Sequence, residues 1–402
     1  MKKLLPCLTA AAAMLCGCVP EELVLRQPPE SPSAPMVIAA FLPLSGENRI
    51  YAEQMQEGLR CAETRLNRTH GIGGRKVKVL FLDTGGTPAG TAEALESAEK
   101  AGAVAAVAGY NTEEVSMLIS HASRLRMPMV IPMATSDYHL EVSPFVYRNS
   151  FSDLQQMEVL AAYLISWRQK SAGCAVTDQA SGEEYTRAIS RNFAQAVKDQ
   201  GGRILNDVTL APGKLLTREQ LETMLAADPG FVMLAAGGRR AAALVKQLRE
   251  AGFTGVLCGP DSWDDNEFTD ALTGVEPGEC IFTAFFSEEN NSREFKEFRK
   301  NFRSTFFHNP SACETQSYDA LIFLSVGLDK AENLLDFDKN WRTIRNHYGA
   351  AAVYTMLKKG RIDRTIYLKS LGVDRMGKTL RPFARLSRRI QYSKLKDYQL
   401  IQ

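Results

Sequence analysis

Apolar and polar positions along this chain alternate between two periods. Residues 36–41 form a continuous apolar run that stops at Pro43 after two more residues, which suits a strand buried on both faces. Met55, Leu59, Ala62 and Leu66 then recur at three- and four-residue spacing, the stripe of an amphipathic helix. The pair of signals repeats. Strands are predicted at 77–82, 104–108 and 129–131, with helices marked by Ala92 and Leu95, and by Val115, Leu118, Ala122 and Leu125. The pattern restarts after about residue 150. Helices fall at Val159–Trp167 spacing, at Ile189, Phe193 and Val197, at Leu221, Met224 and Leu225, and at Leu244, Val245 and Leu248; strands fall at 174–177, 204–208, 231–235 and 256–257. Strands alternating with helices make a parallel sheet covered on both faces. Two such runs predict an α/β fold of two Rossmann-like, doubly wound lobes. Late helical patterns at Phe295, Phe298, Phe302 and at 318–328 are expected to return to the first lobe. Ligands bind outside the carboxyl ends of strands in open parallel sheets, so facing lobes create a cleft lined by loops.

The ends differ from this body. Lys2 and Lys3 precede an apolar stretch at 4–15 that closes with Leu15-Cys16-Gly17-Cys18, an export signal. It resembles a bacterial lipoprotein signal, which would make Cys18 the lipidated first residue of the mature chain and the anchor to a membrane. Val19 in place of Asp leaves the inner or outer membrane open. Residues 19–35 carry five prolines and predict an extended tether. Residues 375–402 hold eight Lys/Arg and one acid, and are expected as a basic tail, either a solvated terminus or a contact for anionic lipid or a partner.

Composition narrows the classes. The 402 residues suggest two or three domains at roughly 150 each. Net charge is only +2, which argues against a nucleic-acid partner. Past residue 18 no apolar run reaches the ~20 residues needed to span a bilayer, excluding a multi-span protein. Cys61, Cys174, Cys258, Cys280 and Cys313 remain after the signal, and their spacing defines neither a metal site nor a disulfide pairing.

Several motifs in order carry a resemblance: Leu44-Ser45-Gly46, Tyr51, Asn67, Gly71-Ile72-Gly73-Gly74-Arg75, Asp83, Val107-Ala108-Gly109 and Pro132-Met133-Ala134-Thr135. Arg148 with Asp153, Gly259-Pro260-Asp261 and Gln316-Ser317-Tyr318-Asp319-Ala320 continue it. Together they resemble the type I periplasmic binding proteins of the leucine/isoleucine/valine-binding and amide-receptor kind, over about residues 36–370. That resemblance implies two lobes joined by a three-strand hinge and closing on a ligand. Lobe 1 would hold 36–148 and about 284–345, and lobe 2 would hold 149–283 and about 346–374.

Site residues follow from ligand chemistry. A ligand carboxylate needs donors, which a helix start supplies. Asn111 and Thr112 lie there, Thr112 as the expected N-cap and as the family's carboxylate-binding hydroxyl; Glu113 and Glu114 beside it are a departure. An ammonium needs acceptors. The loop Met133, Ala134, Thr135 would offer a carbonyl and a hydroxyl, and Asp261 stands where relatives carry an acidic partner. Tyr51 matches a pocket aromatic. Ser181-Gly182 and Gly237-Gly238 replace two tyrosines of the leucine-type proteins, which predicts a more open pocket flanked by Ser181. Arg239 and Arg240 would receive an anion or start a solvated helix.

The five histidines are scattered, and neither a nucleophile elbow nor a phosphate-binding loop is present. No catalytic residue, metal or cofactor is expected. The expected function is a monomeric, lipid-anchored, extracytoplasmic solute-binding protein that delivers an amino acid or small amide-like ligand to the permease subunits of an ABC importer. A non-transport regulator of the same fold, resembling activators of penicillin-binding proteins, and a ligand sensor are the alternatives.

Overall fold

The computed structural model describes residues 19–31, 33–376 and 379–395. The expected lipidation residue Cys18 lies outside them. The first sheet has five parallel strands: β1 (Met36–Leu42), β2 (Val77–Asp83), β3 (Ala105–Ala108), β4 (Met129–Ile131) and β5 (Val146–Arg148), in the spatial order β2-β1-β3-β4-β5. The second contains β6 (Ala172–Asp178), β7 (Arg203–Leu210), β8 (Phe231–Ala235), β9 (Val256–Gly259) and β10 (Cys280–Ala284), parallel in the order β10-β9-β8-β6-β7. Every residue of β3, β4, β8 and β10 is buried, which is why β3, β4 and β8 read as unbroken apolar runs.

Helices cover both sheets. Gly58 in the helix Arg49–Arg68 explains one close crossing: a Cβ there would lie 2.2 Å from the Glu314 carbonyl oxygen of the helix Ala312–Leu328. Only glycine lets these backbones touch. That contact, with those of Ala312–Leu328 to β3 and β4, packs this late helix on the first sheet.

Three segments cross between the sheets: after β5, after β10, and the stretch beyond β11 (His347–Tyr348) that carries Arg364. They meet at buried Arg364. Its Nη1 donates to the Asn149 carbonyl at 2.8 Å and to Gln316 Oε1 at 2.9 Å, and Nη2 donates to the Phe285 carbonyl at 2.5 Å. Phe151 and Phe285 stack at 4.1 Å beneath the guanidinium. Asp319 accepts from the amides of Ala350 and Ala351 at 2.7 and 2.9 Å, holding the third segment.

The chain then differs from a simple twofold repeat. β12 (Val353–Met356), β13 (Ile362–Met376) and β14 (Thr379–Gln391) form antiparallel strands, β13 joining the second sheet beside β10. Thr379–Gln391, read from sequence as part of a basic tail, is thus an edge strand. Arg381, Arg385, Arg388 and Arg389 are exposed while Pro382 and Ile390 are buried, and a charged edge discourages pairing with other chains. Among the described residues no helix is long and apolar enough to cross a membrane, and the five cysteines are free thiols.

Candidate functional site

The carboxyl ends of the two sheets face each other, and the loops there bring most of the expected residues together. From the first lobe come Tyr51, Tyr110, Asn111 and Thr112, and the loop Met133, Ala134, Thr135. From the second come Tyr185, Asp261 and Asp265.

Asp261 follows β9 and is the focus. Tyr185 Oη donates to its Oδ1 at 2.9 Å, and its own amide donates to Gln156 Oε1 at 3.2 Å. Burial pushes the Asp261 carboxyl up to about 6, opposed by hydrogen bonds from Gln156 and Tyr185; the neighbouring charge is Asp264, another carboxylate. A carboxyl raised in this way either holds a proton or, when ionised, gains by pairing with a cationic ligand group.

Asp153, at the start of the helix Asp153–Ala162, is a second carboxyl raised by burial. It is fully buried, its Oδ2 has no hydrogen-bond partner, and burial pushes it up to about 7. The Thr135 hydroxyl and Arg148 oppose that shift, and Asp261 adds to it. Thr135 is thereby tied to the site. Its carbonyl accepts from Arg148 Nη1 at 3.3 Å and from the Asp153 amide at 2.9 Å, while the Ala134 carbonyl accepts from Ser150 Oγ at 2.8 Å. The acceptor carbonyls expected in this loop are therefore engaged at Ala134 and Thr135, and Thr135 contributes its hydroxyl. Met133 is half-buried against the core.

Aromatic rings close the other side. Tyr51 stacks on Tyr110 with ring centres 4.6 Å apart and planes 3° from parallel. Its phenol donates to Asp265 Oδ2 across the lobes. Burial raises both phenols, and Asp261 and Asp265 also act on Tyr110.

The helix start differs from expectation. Asn111, not Thr112, is the N-cap: its Oδ1 accepts from the Glu114 amide at 2.9 Å, and Thr112 is the buried first residue of the helix Thr112–Ile119. The two glutamates point away from each other. Buried Glu114 accepts from Thr84 Oγ1 and, at 2.8 Å, from the Tyr110 amide. Glu113 reaches the other lobe, its Oε1 within 3.1 Å of where a Cβ on Gly182 would sit, at the start of the helix Glu183–Asp199.

Ser181 is not part of this group. Its hydroxyl donates to Asp178 Oδ2 at 2.9 Å, and Asp178 is clamped by Arg240 at 3.0 and 2.9 Å. Arg240 is thus taken, and exposed Arg239 sits 3.8 Å from Glu267. The lost-aromatic reading is also corrected. Tyr185, four residues past Ser181, returns a phenol to the cleft. A groove of about 1700 Å³ opens beside the site and has Glu113, Asp153 and Glu184 in its walls.

Two α/β lobes, a three-segment hinge and a polar interlobe site define a hinged binding protein. The profile of the family described as "Periplasmic binding protein" matches residues 35–364, and the chain belongs to that family. It is 26% identical over 341 residues to the Leu/Ile/Val-binding protein BraC3 of Rhizobium johnstonii, covering 82% of this chain and 84% of the relative. The branched-chain amino acid transporter substrate-binding protein LivJ of Streptococcus pneumoniae, solved with isoleucine, superposes with a TM-score of 0.72 at 20% identity, over 88% of this chain and 100% of that one. A solute-binding protein from R. palustris solved with benzoate gives 0.69 at 16% identity, over 89% and 98%. These relatives are substrate-binding proteins rather than enzymes, and the family implies an extracytoplasmic location.

Proposed function

We propose that this chain captures a small ligand bearing an ammonium or amide group between its lobes and presents it to the permease subunits of an ABC importer. The observation that carries this reading is half-buried Asp261, held by Tyr185 with no cation acting on it, with Asp153 and the aromatic pair Tyr51–Tyr110 around it. An ammonium would pair with Asp261, and a polar tail would meet the Thr112 helix start and the Thr135 hydroxyl. The isoleucine complex of LivJ supports an amino-acid-like ligand; the benzoate complex of its fold neighbour means that the fold alone does not choose one. The signal-like residues around Cys18 support a lipid anchor, and the chain would act as a monomer. Calorimetric titration of the full-length protein with the amino acids and their carboxamides tests this. Saturable one-to-one binding is expected, lost in Asp261→Asn.

A second reading has its own observation. Tyr51 and Asp265 join the lobes directly. A body fixed in this way suits a regulator that docks on a partner. Affinity capture from envelope extracts separates the two: permease subunits support transport, and a cell-wall synthase supports regulation.

A further inference from the structure

Away from the cleft, three potential ligand groups converge on the outer face of the first lobe. Glu57 lies on the helix Arg49–Arg68, Glu314 at the start of Ala312–Leu328, and His308 in the turn that precedes it. One donor atom from each lies within 4.8 Å of the other two.

The local chemistry calls for a cation. His308 Nδ1 lies 3.0 Å from the Asn309 carbonyl oxygen, which can only accept. Nδ1 therefore carries a proton; Nε2 then either donates to Glu57 as an imidazolium or, in the neutral tautomer, keeps a lone pair. That lone pair faces Glu57 Oε2 at 3.0 Å. Two acceptors at that distance repel unless a proton or a metal lies between them. An imidazole oriented through its other nitrogen by a backbone carbonyl is the usual support of a metal-bound histidine. Glu314 adds a second carboxylate, and the residue is 1% exposed. Glu314 and Glu53 add negative charge beside Glu57.

The backbone is also fixed. Gly58 brings the two helices into contact at Glu314, next to Glu57 in sequence. Glu314 is held in a capping box by the Ser311 amide at 2.8 Å. Phe307 takes φ 64° and is 89% exposed, so the chain turns outward there before His308 turns back.

We infer that Glu57, His308 and Glu314 bind one divalent transition-metal ion, with water completing its coordination. One imidazole and two carboxylates suit Zn²⁺ or Mn²⁺ better than Ca²⁺, which takes oxygen donors. The ion would pin the 307–311 turn and the late helix to the helix that carries Tyr51.

The test uses full-length protein stripped of metal with EDTA and titrated with ZnCl₂ by calorimetry, then by thermal unfolding. One Zn²⁺ per chain is expected, with a higher unfolding temperature. His308→Ala and Glu57→Gln should each weaken binding at least tenfold, and His70→Ala should leave it unchanged. Exposed His308 and half-buried Glu57 tolerate these changes, and circular dichroism verifies the fold. No saturable binding at millimolar metal overturns the proposal and leaves a protonated His308–Glu57 ion pair. Equal affinity in His308→Ala overturns it as well.

Discussion

Tyr185 Oη donates to Asp261 Oδ1 at 2.9 Å, and this bond holds the carboxylate toward the cleft without neutralising it. Both groups belong to the second lobe, so the receptor is assembled before the lobes close. The first lobe then supplies the rings of Tyr51 and Tyr110 and the hydroxyl of Thr135. Closure on a ligand adds these contacts, which is how ligand binding shifts a hinged equilibrium.

The carboxyls set a pH dependence. Asp261 sits at about 6 and Asp153 at about 7, both above their unfolded values near 4. Between pH 4 and 7 the folded chain therefore binds more protons than the unfolded one, and stability falls as pH rises through that window. Buried Asp319, at about 7, acts in the same direction. Thermal unfolding of the ligand-free protein should give a midpoint several degrees higher at pH 5 than at pH 7.5. Asp153→Asn should flatten part of that slope. A wild-type slope of the same size in Asp153→Asn would contradict the assignment.

Ligand affinity should move the other way. A cationic ligand pairs with ionised Asp261, so affinity should fall up to tenfold per pH unit below about 6. Titrations at pH 5 and 7.5 measure this, and equal affinities would count against an ammonium at Asp261.

Tyr51→Phe tests the interlobe bond to Asp265. The stack on Tyr110 survives, and one hydrogen bond to a carboxylate is lost. For a half-buried group that is about 1 kcal/mol, roughly fivefold in the closing equilibrium. Small-angle scattering should show a larger radius of gyration, and ligand should bind about fivefold more weakly. Unchanged scattering would mean that the bond does not govern closure.

Arg364→Met tests the hinge. It removes the guanidinium donors from the Asn149 and Phe285 carbonyls and leaves Gln316 Oε1 with Tyr354 Oη alone, inside the protein. A loss of about 3–5 kcal/mol is expected, seen as a lower unfolding midpoint by differential scanning calorimetry. A loss below about 1 kcal/mol would show that the guanidinium does not tie the crossing segments.

Residues 129–131 and 231–235 were legible as strands because burial on both faces leaves an unbroken apolar run. Short β5 and the antiparallel β13 and β14 were not, because polar residues interrupt their apolar runs. At the site, Asp261 and Tyr51 could be found from motif position. Tyr185 could not, since the motif places an aromatic nearer Ser181 and only the helix turn returns the ring to Asp261. Asn111 and Thr112 are both good caps; which one serves depends on a backbone angle that composition does not encode. Asp153 stood with Arg148 in the motif series without a site role, and Gln156 and Asp265 act through contacts between distant segments, which no local spacing reveals.

The most direct measurement is calorimetric titration of the full-length protein and its Asp261→Asn variant with amino acids and their carboxamides at pH 7.5. The account predicts one-to-one binding of at least one member by the wild type. The variant should lose about 2–5 kcal/mol, roughly thirtyfold or more, while keeping its fold. Binding that survives Asp261→Asn unchanged would contradict the account, as would a wild-type protein that binds no member of either series.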